Sequence, residues 1–291
     1  MKFENFRLDD FLNKHFKKHT ESADTMNVGN FREECNEMLR GFYTAASGMF
    51  AQQRKTEMLT NNLANVQTPG YKADQATIRS FPEMLIREFN NNNSSSKEVG
   101  PLHTGVYVQE TIPNFIQGDL QETNRHTDLA LMDFGNNTSF FTVRQDEDIR
   151  YSRNGSLQIS PDGLLTTSEG YPLLSTTGET ISVTSDQFTV HQDGSVEENG
   201  TIIAQLGIAG TDTPEQLIKL GSGLYQADEP LQNNPAASVH QGFIEASNVD
   251  TTRTMTDMLS AYRSFEANQK VVQAYDRSME KAVNEVGKLN G

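Results

Sequence analysis

The chain has 291 residues, enough for two or three domains, with a formal net charge of −15 and a pI near 4.8. That balance excludes nucleic acid as a partner, since phosphate binding wants a basic face, and argues against an anionic membrane surface. No apolar run approaches a membrane span, so no membrane insertion is expected. No cleavable signal stands at the start, and the single Cys35 can make no internal disulfide.

Residues 1–37 differ in character from the rest of the chain. Leu8, Phe11, Leu12, His15 and Phe16 predict a short amphipathic helix that the polar run 20–24 ends. His15 and His19 are four apart, but without a third ligand nearby they read as a solvated pair rather than a metal site. Met38 is a natural start, which would leave 1–37 as an upstream extension. Over 38–65, Leu39, Phe42, Ala46 and Met49 hold an apolar stripe that Leu59, Leu63 and Val66 resume after the polar stretch 52–57. Gly41 and Gly48 each weaken this helix by roughly 1 kcal/mol relative to Ala. Two readings stay open for them: plain helix weakness, or close approach of another helix. The helix stops at Thr68-Pro69-Gly70-Tyr71, where Pro lacks a donor and Gly supplies a turn.

The middle reads as β. The polar run 90–96 is a linker or exposed loop, while 106–110 and 140–143 are rich in strand formers. Asn154-Gly155, Pro161-Asp162-Gly163, Asp193-Gly194 and Asn199-Gly200 punctuate short strands as hairpin signals. Thr213-Pro214-Glu215 can start a short helix.

At the C-terminal end, Met255, Met258, Tyr262, Phe265, Val272, Tyr275, Met279, Ala282, Val286 and Leu289 recur at helical spacing, with Asn248 or Asp250 as a cap. A helix of about 40 residues is about 60 Å long and needs a partner. Polar Gln269 falls where a heptad expects an apolar side chain, which disfavours an uninterrupted left-handed supercoil.

The block Asn61-Asn62-Leu63-Ala64-Asn65-Val66-Gln67-Thr68-Pro69-Gly70-Tyr71-Lys72 resembles the N-terminal signature of the bacterial flagellar rod and hook proteins, with Gln67 where a small residue, Asn or Asp is more usual. Gln241-Gly242-Phe243-Ile244-Glu245-Ala246-Ser247-Asn248-Val249-Asp250 and Tyr262-Arg263-Ser264-Phe265-Glu266-Ala267-Asn268 resemble that family's C-terminal blocks. The stretches 118–131 and 140–155 resemble the middle of its FlgF/FlgG rod subfamily. The resemblance covers about 38–290.

It implies a mixed α and β fold: long N- and C-terminal helices packed together in a coiled-coil-like way, with an inserted all-β, hairpin-rich middle domain. The domains implied are the extension 1–37, the helix and turn 38–72, a connecting segment 73–104, the β-rich middle 105–240 and the C-terminal helix 241–291. The function implied is a structural subunit of the flagellar rod, proximal or distal, polymerising into the hollow shaft that carries torque from motor to hook. Partners would be copies of itself, other axial proteins and the flagellar export apparatus, with export to the basal body in the cell envelope lacking any cleaved signal. Motif residues expected to serve assembly are Asn62, Ala64, Asn65, Thr68, Pro69, Gly70, Tyr71, Ser247, Asn248, Val249, Tyr262, Phe265, Glu266 and Asn268.

No catalytic, metal or cofactor site is expected. His103, His126, His191 and His240 are scattered without a local acid and nucleophile, and Asp146, Glu147 and Asp148 lack the spacing of a calcium loop. The rival reading is a secreted cell-wall-active enzyme or surface-binding protein with a β domain. It would require carboxylates of the middle domain to converge in one cleft.

Overall fold

The computed structural model describes residues 28–82, 84–89, 96–102, 105–135, 137–233 and 237–288, with backbone alone over 28–39, 84–102, 282–283 and 285–288. The short helix expected over 8–16, His15, His19, the side chain of Cys35 and the loop 90–95 lie outside that description.

Two long helices bracket a β-rich body: α1, Val28–Ala64, and α2, Thr251–Lys288, each about 55 Å long. No proline interrupts either one. The α2 start is capped by Asp250, whose carboxylate accepts the Arg253 N–H at 3.0 Å. The helices run antiparallel, and glycine sets how closely they meet. A Cβ on Gly41 would lie 2.0 Å from the Tyr275 hydroxyl oxygen, and one on Gly48 2.9 Å from the Asn268 side chain. Close approach is therefore the reason for both glycines.

On its other side α1 carries an antiparallel ladder, Asp74–Ser80 paired with Val106–Pro113, and Ser47 Oγ accepts the Val106 N–H at 3.3 Å. Beyond it Met84–Phe89 pairs with Ser96–Leu102, so the segment 73–104 read as a connection carries one whole ladder and one strand of another.

In the body the central strand is Thr138–Gln145, in a six-stranded antiparallel sheet. Successive side chains leave a strand on opposite faces. Phe141 and Val143 enter the larger core with Leu129, Leu165, Phe188 and Val196, while Phe140 enters an aromatic core with Tyr151 and Tyr225. The buried residues of both cores lie between 129 and 239, with half-buried Phe115 packed against the aromatic one. Asp193-Gly194 and Asn199-Gly200 do turn hairpins, and Pro214–Gln216 is a single 3-10 turn. Asn154-Gly155 does not. A Cβ on Gly155 would fall 1.6 Å from the Leu129 carbonyl oxygen, so that glycine is there for backbone contact.

The coiled-coil-like arrangement is not found. Among the described residues there are just two helices of any length, flanking a large β-rich middle, and no long-helix bundle forms. Along α2, Met255 and Tyr262 of the expected stripe are 45% and 54% exposed, and the buried positions beside them are small: Thr254 and Ala261. Small side chains let the pair close there, while Met258, Phe265, Val272, Tyr275 and Met279 of the same stripe are half-buried.

Candidate functional site

The sequence places three charged residues far apart, and the fold buries them together. Lys72 leaves the Thr-Pro-Gly-Tyr turn after α1, Arg153 follows the strand Asp148–Ser152, and Glu245 ends the strand Phe243–Glu245. All three side chains are 1% exposed. Glu245 accepts from Lys72 Nζ through one oxygen and from Arg153 Nε through the other, each at 2.5 Å, and also from the Gly118 N–H at 2.8 Å. Arg153 reaches on to Asp133 at 2.8 Å and to the carbonyls of Leu131 and Ser139, and Lys72 donates to the Ile116 carbonyl at 2.8 Å. Two cations meet two carboxylates, so the cluster is neutral.

Burial alone would raise the Glu245 carboxyl, but Arg153 and Lys72 outweigh it and hold it below the usual carboxylate range. Lys72 is lowered by burial, which its one bonded acid, Glu245, offsets only in part, with Arg153 adding like-charge repulsion. Arg153 is raised: Glu245 and Asp133 overcome its own burial. A group whose folded pKa is depressed stabilises the fold above its unfolded value and loses that as pH falls through the folded one. Glu245 therefore contributes fully at neutral pH, and the junction should loosen as pH drops below about 4. Fluorescence of an environment-sensitive dye placed beside the turn, followed against pH, should report loosening there; a flat response down to about pH 2 would contradict this.

Around the cluster lie most of the motif residues. Asn62 is buried, its amide bridging the Asp74 backbone N–H and carbonyl at 2.9 Å each. The Tyr71 hydroxyl is shared between Asn61 and Asn62 at 2.9 and 3.1 Å, and burial with Asp74 nearby raises its pKa and keeps it a donor. Lys219 crosses its ring, 4.2 Å from the centroid, to grip Asp74 at 2.9 Å. Asn65 holds the Thr68 hydroxyl at 3.2 Å. Gly70 is left-handed, φ +68°, donates to the Glu245 carbonyl at 2.8 Å, and would place a Cβ 2.4 Å from the Arg153 carbonyl oxygen. Asn248 accepts from the Ala73 N–H at 2.7 Å and donates to the carbonyls of Asn114 and Ile116.

Ala64 ends α1 and Pro69 sits in the turn after it, and Ser247, which caps the Val249 N–H at 3.3 Å, and buried Val249 lead into α2. Tyr262, Phe265, Glu266 and Asn268 stand apart from the junction on α2. Phe265 is half-buried beside Gln53, Thr56 and Thr60, and Asn268 packs on Gly48.

Sequence reasoning singled out none of Lys72, Arg153 and Glu245. The available signal was a charge inside each motif block among small and apolar neighbours.

Two carboxylates meet here, but Asp133 alone comes from the middle domain, and they do not line a cleft as the enzyme reading required. They are buried and bonded to cations, and Glu245 is held ionised, which suits a tie between segments and not proton transfer. Among the described residues no three His, Cys, Asp or Glu side chains are grouped to hold a metal ion, and no helix is long and apolar enough to cross a membrane.

Three family profiles match separate parts of the chain. They are described as flagella basal body rod protein, over residues 42–72, flagellar hook protein FlgE/F/G D1 domain, over 136–202, and flagellar basal body rod FlgEFG protein C-terminal, over 240–285. Each matched part supplies one of Lys72, Arg153 and Glu245. The chain is 44% identical over 271 residues to the flagellar hook-basal body complex protein FlhO of Bacillus subtilis (strain 168), covering 87% of this chain and 100% of that protein. It is 30% identical to the flagellar basal-body rod protein FlgG of the same strain, covering 85% and 99%. To FlgF of Caulobacter vibrioides it is 28% identical, covering 87% and 100%.

Proposed function

The chain belongs to the flagellar basal-body rod family, and we propose that its helix pair and β body act as one rigid strut in the rod. It is a structural subunit of the flagellum's basal body, where its relatives are named as rod and hook-basal body proteins. In our reading many copies, with other axial proteins, build an open helical tube by contacts that do not close. Residues 38–72 and 241–291 form the inner part and 105–240 the outer. The motif residues at the junction fix one to the other, so torque passes between them. Delivery is by the flagellar export apparatus without a cleaved signal, and the subunit carries no catalytic activity.

One observation carries this reading. The antiparallel helix pair leaves Met255, Leu259 and Tyr262 uncovered along one face of α2, and Tyr43 and Phe50 uncovered on α1. Spacings of four, three and seven keep each set on one side of its helix. Such a run on a long pair suits lateral contact with further subunits. The test is where the protein resides. Basal bodies purified from cells carrying an epitope-tagged chain should hold the tag on the rod, and cells lacking the gene should build no hook. Tag confined to the medium or wall fraction, with normal hooks in the deletion strain, would overturn the assignment.

A further inference from the structure

We propose that Glu245 is a latch: docking of the C-terminal segment closes the neutral cluster, and until it docks the Thr68–Lys72 turn is released from a β body already folded. Three observations support it, and none depends on the rod assignment. The buried residues of both cores lie within 129–239, and the one packed against them from outside, Phe115, belongs to neither terminal helix segment, so the body's packing requires neither end of the chain. Gly70 N–H and Lys72 Nζ both bond to Glu245, which ties the turn to the last strand of the body. And Lys72 emerges from the ribosome 173 residues before its counter-ion.

Charge decides what happens in the interval. With Glu245 absent, Lys72 and Arg153 share only Asp133, and the site would carry one net buried positive charge. Arg153 keeps its hold on Asp133 and the Leu131 and Ser139 carbonyls inside the body. Lys72 keeps one carbonyl, Ile116, and is the cation expelled. The latch thus frees the Thr68–Lys72 turn at its Glu245 contacts until the chain is complete, with Lys219 on Asp74 as the turn's remaining tie to the body.

The same balance makes a prediction that bond counting does not. Glu245→Gln leaves the site at net +1, Lys72→Met leaves it at net −1, and the pair together restores neutrality. Hydrogen exchange on the full-length protein at neutral pH reads this. In Glu245→Gln, amides of 66–73 and 246–249 should exchange at least about tenfold faster, with 129–131, 140–143 and 165–167 unchanged. Lys72→Met/Glu245→Gln should recover most of that protection. Uniform acceleration through the body, no change in Glu245→Gln, or a double variant looser than Glu245→Gln would each overturn the latch.

Discussion

Arg153→Met is expected to cost about 3–5 kcal/mol, lowering the melting temperature by roughly 10 °C. The side chain is fully buried, and its guanidinium is shared by Glu245, Asp133 and two backbone carbonyls. Methionine fills much of the space but supplies no donor. Two carboxylates would then face each other with only Lys72 between them. Arg54→Met, on α1, is the control: its pair with Glu57 stands at the surface and contributes about 0–1 kcal/mol. Thermal unfolding of both variants decides the matter, and equal midpoints would mean that the cluster holds nothing together.

The second large effect is on assembly rather than folding. Leu259 is 57% exposed between Met255 and Tyr262, so Leu259→Asp places a charge in water in the isolated subunit and leaves its melting point within about 1 °C of the original. In a rod contact that charge would be buried without a partner, at a cost of several kcal/mol. Cells should therefore be non-motile, with the variant in the soluble fraction and absent from basal bodies. Phe265→Asp is a different experiment. Phe265 lies half-buried against α1, so that change should loosen the helix pair and lower the melting temperature of the monomer itself. Swimming cells with Leu259→Asp in their rods would remove α2's outer face from the assembly.

These residues also show how far the sequence could be read. Helical periodicity revealed α2, because ten apolar positions at steps of three and four mean little else. Met258, Phe265, Val272, Tyr275 and Met279 of that stripe are half-buried, while Met255 and Tyr262 at its start stay open. Thr254 and Ala261 win the buried positions by letting backbones close, and Met255 and Tyr262 are displaced outward. The coiled-coil-like bundle failed because, among the described residues, just two long helices flank a large β-rich middle. Gly41 and Gly48 held the clue, but choosing between a weak helix and a close one needed Tyr275 and Asn268 in place.

Turn chemistry succeeded at Asp193-Gly194 and Asn199-Gly200, where a local rule governs a local structure. It failed at Asn154-Gly155, where tertiary contact with Leu129 fixes the glycine. The ion cluster was out of reach altogether. Glu245 is separated from Arg153 by 92 residues and from Lys72 by 173, and no periodicity connects them. Motif resemblance marked the neighbourhood and its blocks even contain Lys72 and Glu245, but nothing in it joined those charges to Arg153.

The most direct test of the strut in the rod is cysteine accessibility at position 259. Cys35 is the only cysteine in the chain, so Leu259→Cys in a Cys35→Ser background offers a single thiol. In the purified monomer that thiol should react rapidly with a maleimide reagent. In intact basal bodies it should be protected by at least about tenfold, what burial in a subunit contact provides, while a cysteine at exposed Ile202 of the β body stays reactive in both. Equal reactivity of position 259 in monomers and in basal bodies would contradict the account.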